Sequence, residues 1–421
     1  MTSIAICWVS WIISAAPCKA QSAEAIGNAL IRQGNPEYTG NDVVLLPSAR
    51  EKYADMFQAI REAKNHVYLE YFIFRKDSVG TELIRLLQEK AQEGVEIRLI
   101  IDAYGNWKAP HPISASQLDS IRGLGIDVVF FDPIRFPWIP NMLHRDHRKI
   151  VVVDGRLAYT GGMNVADYYL HGTERTGPWR DMQIRLEGPV VSEFAQIFEK
   201  TWKRTLHTDK KDSCNRVSMD QNPVADVLHY NKPSKDDDNA RVIVVNREPG
   251  KDSKKMRRAY VSAFDAAQHE ISIVNPYPTN TRSVRRAMKR ALRRGIRMRV
   301  MVSSNMDTRI TPEVVAMEMK KMVRRGAEVY YYEGGFHHTK VITIDDSVAV
   351  LGTTNLDGRS LRYDYEVSVF VFSPKIVVQL DSIFARDLQQ SKRLTKENFK
   401  QRFSLKRRFL GRLFQPIKGL L

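Results

Sequence analysis

Apolar residues recur along the chain in two alternating periods. Residues 52–64 place Tyr53, Met56, Phe57 and Ile60 on one helical face, and residues 66–74 are a run rich in Val, Tyr, Leu, Phe and Ile. A helix over residues 81–93 follows, closed by Gly94, then a strand over 95–101, a helix over 115–124 closed by Gly125, and a strand over 126–131. The apolar run 149–153 reads as another strand. The order then returns: helix 253–268, strand 270–274, helix 283–294 closed by Gly295, strand 296–303, helix 313–325 closed by Gly326, strand 327–332 and strand 340–344. Each half ends on a helix led by proline, Pro189 into 190–204 and Pro374 into 375–390. A repeat near 190 residues is too long for a solenoid unit. Apolar strands alternating with helices predict two duplicated α/β/α domains with mostly parallel sheets, packed about a pseudo-twofold with one shared site. The expected boundaries are 43–207 and 241–392, with residues 208–240, rich in Lys, Asp, Asn and Ser, as the linker.

The repeat carries chemistry. His147-Arg148-Lys149 leads through Asp154 to Gly161-Gly162-Met163-Asn164, and His338-Thr339-Lys340 leads through Asp345 to Gly352-Thr353-Thr354-Asn355. In both copies Lys follows His by two residues, Asp by seven and Asn by seventeen. One such set is weak evidence; two in register are not coincidence. Strand side chains two apart share a face, so each His projects with its Lys. If the halves face each other, two His and two Lys meet in one pocket. That set suits a phosphodiester: ammonium groups hold the phosphoryl oxygens, one imidazole attacks phosphorus, and the other protonates the leaving alkoxide. The candidate catalytic set is therefore His147, Lys149, Asp154, His338, Lys340 and Asp345. Within it, Asp154 and Asp345 lie at the far ends of their strands, where structural hydrogen bonds are the expected role. Asn164 and Asn355 are candidate phosphate donors. Asp181 and Glu366 follow the two motifs and are assigned to orient the histidines through their second ring nitrogens. No metal and no cofactor is called for.

Composition narrows the partner. Hydrophobic content of 43% and charged content of 27% describe a globular chain, and the net charge of +17 implies an anionic partner. Cys7, Cys18 and Cys214 form no zinc or disulfide framework. Residues 4–16 are mostly apolar, and 1–20 read as a signal-like or anchor segment, too short for a comfortable span. At the other end, residues 403–421 carry five basic residues among bulky apolar ones. Leu405, Phe409, Leu413 and Phe414 share a helical face, the pattern of a helix lying on anionic lipid. The aromatic and proline loop from Phe130 to Pro140 is a second candidate for acyl-chain contact. Both features favour lipid over nucleic acid.

The motifs resemble the phospholipase D superfamily and, within it, the bacterial cardiolipin synthases. Arg145-Asp146-His147-Arg148-Lys149 with Asp154-Gly155 and Gly161-Gly162-Met163-Asn164 is similar to that family's first motif. Asn355-Leu356-Asp357-Gly358-Arg359-Ser360 is similar to the run after its second. The resemblance spans about residues 43–421. It implies a phosphohistidine at His147, proton donation by His338, and metal-independent phosphatidyl transfer between two phosphatidylglycerol molecules at a bacterial membrane, giving cardiolipin and glycerol. Water as acceptor would make the same residues a phospholipase D, and a nuclease of the same superfamily is the further alternative. Thr353-Thr354 and Tyr363-Asp364-Tyr365 depart from the family's usual residues.

Overall fold

The computed structural model describes residues 16–108, 112–134, 142–208, 239–250 and 252–419. The linker expected at 208–240 lies almost wholly outside these residues, as do residues 1–15 and, in the aromatic and proline loop, 135–140.

Among the described residues fifteen strands form one sheet, and its two halves repeat one order outward from the centre. From the outer edge, the first half runs Asp127–Phe131, Glu96–Asp102, His66–Tyr71, Lys149–Val153, Leu157–Gly161, Gln183–Glu187 and Glu37–Leu46. The second half runs Glu328–Tyr332, Arg297–Ser303, Glu270–Val274, Val341–Ile344, Val348–Gly352, Glu366–Phe372 and Ala240–Arg247, with Ser391–Leu394 added outside. Glu37–Leu46 and Ala240–Arg247 meet at the centre and pair antiparallel, as an approximate twofold between the halves requires. The halves also share an apolar core, in which Ile150, Met182 and Ile184 lie with Val341, Leu351 and Val367 under helices Val191–Thr208 and Pro374–Leu388.

The expected duplicated α/β architecture is present, and the expected elements of both halves lie within a few residues of their predicted places. The sheet is mixed. Only the three outer strands of each half that are linked through helices run parallel. The inner strands are antiparallel. The reason is local. Each motif strand ends on an aspartate with positive φ, Asp154 at 52° and Asp345 at 49°. Aspartate tolerates this conformation, and the chain turns straight back into the next strand.

From residue 16 up to the first expected domain the chain is structured. Residues Ala16–Arg32 form a continuous helix, so the expected boundary at residue 20 falls inside it. Ile26 and Leu30 are fully buried in the core of the second half beside helix Lys255–Ala266. The first domain also starts earlier than expected, at Glu37, because that strand bridges the two halves. Among the described residues no helix is long and apolar enough to cross a membrane.

Candidate active site

Two short pairings tie each motif to the opposite half. Phe336–His337 pairs with Trp179–Arg180, and the His338 amide donates to the Arg180 carbonyl at 2.7 Å. In the same manner Asp146 bridges to Tyr365, and the His147 amide donates to the Tyr365 carbonyl at 3.1 Å. These pairings set each histidine beside the carboxylate that follows the other half's motif. His338 Nδ1 donates to Asp181 Oδ2 at 2.7 Å, and His147 Nδ1 donates to Glu366 Oε1 at 2.9 Å. Both Nε2 atoms are therefore left to face a substrate. The rings keep a little exposure, 14% for the His147 side chain and 9% for that of His338, while both carboxylates are sealed.

Each lysine folds back on its own histidine: Lys149 Nζ donates to the His147 carbonyl at 2.6 Å, and Lys340 Nζ does the same to that of His338. The electrostatics report one shared pocket. His147 is held well below the usual histidine range, first by burial and then by Lys149, Lys340, His338 and Arg359. His338 is lowered by burial and by Lys340, with Asp181 pulling the other way. Burial lowers Lys149 to about 7 and Lys340 to about 8, and raises Glu366 to about 7. Burial is the main reason that the two histidines and two lysines resist their charged forms, and an anionic phosphodiester entering the pocket would favour those forms.

The surroundings of the two histidines differ. Phe72 packs edge-on to His147 at 5.0 Å between ring centres. His338 sits among Trp179 at 5.4 Å, Phe336 at 5.3 Å, Tyr277 at 6.3 Å and Tyr169 at 6.4 Å. The carboxylates are also held differently. Thr353 donates its hydroxyl to Glu366. At the matching position in the first half, Gly162 leaves room: a Cβ there would lie 2.2 Å from Asp181 Oδ1.

The motif aspartates lie away from this pocket. Asp154 accepts from the backbone amides of Lys64, Asn65 and His66 at 2.8–2.9 Å. Asp345 accepts from those of Gln268, His269 and Glu270 at 2.8–3.3 Å. A strand rise of about 3.3 Å per residue puts each carboxylate roughly 20 Å from its histidine. Their place in the candidate catalytic set is corrected to one of fastening: each pins the entry of a parallel strand to the end of the motif strand. Asn164 is also occupied. Its Oδ1 accepts from the Ile73 amide at 3.0 Å and its Nδ2 donates to the Tyr169 hydroxyl at 3.1 Å. Asn355 differs, since its buried Oδ1 has no partner. Sequence reasoning did not find the buried support behind His147. Arg148 pairs with Glu70 at 3.0 Å and Asp146 at 3.1 Å, and Arg145 pairs with Asp102 at 3.0 Å. The only trace in the sequence was Glu70 and Asp102 inside otherwise apolar strands.

The comparisons with known proteins bear on this geometry. The family described as cardiolipin synthase, PLD-like domain, matches residues 56–202 and 260–388, one match on each half. The chain belongs to this family. It is 32% identical over 86% of its length to "Probable cardiolipin synthase YwiE" of Bacillus subtilis (strain 168), covering 69% of that protein. It is 31% identical over 87% of its length to a cardiolipin synthase of Halalkalibacterium halodurans, covering 70%. Among solved structures, a phosphatidylserine synthase of Haemophilus influenzae Rd KW20 shares the fold, with a TM-score of 0.72 over 94% of this chain and 98% of that one, at 15% identity. Family membership makes the chain a phosphatidyltransferase of the phospholipase D superfamily, acting on phospholipids in association with a membrane.

Proposed function

We propose that the enzyme condenses two phosphatidylglycerol molecules into cardiolipin and glycerol through a phosphohistidine on His147. The observation that carries the reading is the crossed pairing, His147 with Glu366 and His338 with Asp181, which fixes both tautomers with Nε2 toward the pocket. Neutral His147 attacks phosphorus through Nε2. The bond from phosphorus to the glycerol headgroup oxygen breaks, and His338 Nε2 gives that oxygen its proton, so glycerol leaves neutral. The headgroup hydroxyl of a second phosphatidylglycerol then attacks the phosphohistidine. His338 takes its proton, and the phosphorus–nitrogen bond breaks to release cardiolipin. Lys149 and Lys340 hold the phosphoryl oxygens as charge builds on them. Asn355, with an unpartnered oxygen, is the better placed of the two motif asparagines to meet substrate, by accepting from a hydroxyl. The asymmetry supports the assignment of roles: His147 is held the more strongly neutral, while Asp181 favours a proton on His338.

The bacterial membrane is the proposed location, with phosphatidylglycerol as both donor and acceptor. Incubation with phosphatidylglycerol labelled in its headgroup tests this. Cardiolipin with one labelled glycerol released per molecule formed is expected. Phosphatidic acid as the main product would make the enzyme a hydrolase and overturn the reading.

A further inference from the structure

The C-terminal helix Leu405–Leu413 lies on helix Thr311–Val323, but not by its apolar face. Arg407 Nε reaches both Glu313 oxygens at 2.9 and 3.0 Å. Gly411 is the point of closest approach, since a Cβ there would lie 2.3 Å from the Glu313 carbonyl oxygen. Beyond the helix, Gln415 and Lys418 tie down to Lys321 and Glu318. The docking turns Leu405, Phe409 and Leu413 outward, four residues apart, at 77%, 63% and 56% exposure. A helix that spends its ion pairs on the protein and its leucines on solvent is missing an apolar partner.

Beside this stripe lies an open pocket of about 250 Å³, lined by Met317, Lys320, Lys321, Arg324, Arg412 and Gln415. It has four cationic side chains and no carboxylate in its lining. Lys321 is paired with Glu318. Lys320, Arg324 and Arg412 have no ion pair among the described residues. Arg408 and Lys400 add to the same field, and together these neighbours hold Lys320 below its usual range, after the larger effect of burial. Positive charge crowded without compensation, next to an exposed apolar stripe, is complementary to a bilayer that carries anionic headgroups. The segment also abuts the active-site rim: Gly419 lies against Gly358, where a Cβ would be 2.5 Å from the Gly419 Cα. Ser360, two residues on, lies beside Glu366, where it favours the charged carboxylate.

We propose that the pocket between these two helices seats the phosphate headgroup of an anionic phospholipid, outside the catalytic centre, while Leu405, Phe409 and Leu413 enter the bilayer beside it. The proposal deepens the phospholipid reading and rests on it only for the presence of a bilayer.

The test uses the full chain with Cys7, Cys18 and Cys214 replaced by serine and an environment-sensitive fluorophore on Phe409→Cys. Vesicles of phosphatidylcholine mixed with phosphatidylglycerol should shift the emission to the blue, and vesicles of phosphatidylcholine alone should not. The triple variant Lys320→Glu, Arg324→Glu, Arg412→Glu should need about 100-fold more anionic vesicles for the same shift, at about 1 kcal/mol per basic residue near the surface. Turnover of detergent-dispersed phosphatidylglycerol by that variant should stay at the parent level, which separates this proposal from the catalytic one and reports folding. Inorganic phosphate alone should leave the emission unchanged. An emission that does not respond to anionic vesicles overturns the proposal, whatever else holds the protein on the membrane. So does an equal response to both vesicle types, or a blue shift that grows with protein concentration without vesicles, which would make the stripe a contact between copies of the chain.

Discussion

Replacing Asp181 by asparagine removes one charge and almost no volume. In the parent, Asp181 Oδ2 accepts from His338 Nδ1 at 2.7 Å in a sealed setting, and its charge raises the proton affinity of the ring against burial and Lys340. A charge-assisted hydrogen bond of this kind is worth about 1.5–3 kcal/mol. If that stabilisation is realised when His338 carries its proton, kcat/KM for phosphatidylglycerol should fall about ten- to 150-fold. The sign in pH follows. Asp181 raises the His338 pKa, so its loss lowers it, and the protonated acid is then populated only at lower pH. The alkaline limb of the profile should move toward acid. A phosphatidic acid ester of p-nitrophenol separates this role from a structural one, because nitrophenolate leaves without a proton. With that ester, the variant should still give a burst of one nitrophenolate per active site at nearly the parent rate. If the burst slows as much as the glycerol reaction and the pH profile keeps its shape, Asp181 does not act through the acid role of His338.

His147→Ala should abolish turnover and the nitrophenolate burst alike, whereas His338→Ala should lose phosphatidylglycerol turnover and keep a burst; rapid-quench kinetics on both substrates distinguishes the two. Burial sets Lys149 near 7 and Lys340 near 8 in the free enzyme, so their positive charge is lost as pH rises through those values, and kcat/KM should decline on that side. Lys340→Arg, which stays charged, should remove the component of that decline near 8 and leave the one set by Lys149 near 7, in a profile taken with detergent-dispersed substrate. Asp154→Ala unfastens three backbone amides far from the pocket and should cost about 2–4 kcal/mol of stability, seen in thermal melts, while turnover per folded molecule is kept. Treatment with EDTA should leave turnover unchanged, since the lysines and histidines meet the charge of the phosphodiester in the mechanism drawn above; loss of activity restored by a divalent cation would refute that mechanism.

Much of the architecture was legible in the chain because burial on both faces leaves long apolar strands, and helices between them end on glycine. The duplication was legible because His, Lys, Asp, Gly and Asn return in register. Strands such as Gln183–Glu187 and Glu37–Leu46 were not legible. Their polar residues, among them Asn41 and Gln183, are buried by hydrogen bonds to distant segments, which no local period encodes. Helix Ala16–Arg32 was not legible for a related reason: Ile26 and Leu30 are buried in the distant core of the second half.

Sequence alone determined which residues stand together, since a spacing of two along a strand puts His and Lys on one face wherever that strand lies. It also settled that Asp154 and Asp345, seven residues on, stand at the opposite strand end. Only the tertiary structure decided which carboxylate serves which histidine. Asp181 follows His147 in the chain yet bonds to His338, and Glu366 follows His338 yet bonds to His147. The physical reason is the twofold relation between the halves. It pairs each motif with the backbone of the other half, across more than 150 residues of chain that no periodicity can span.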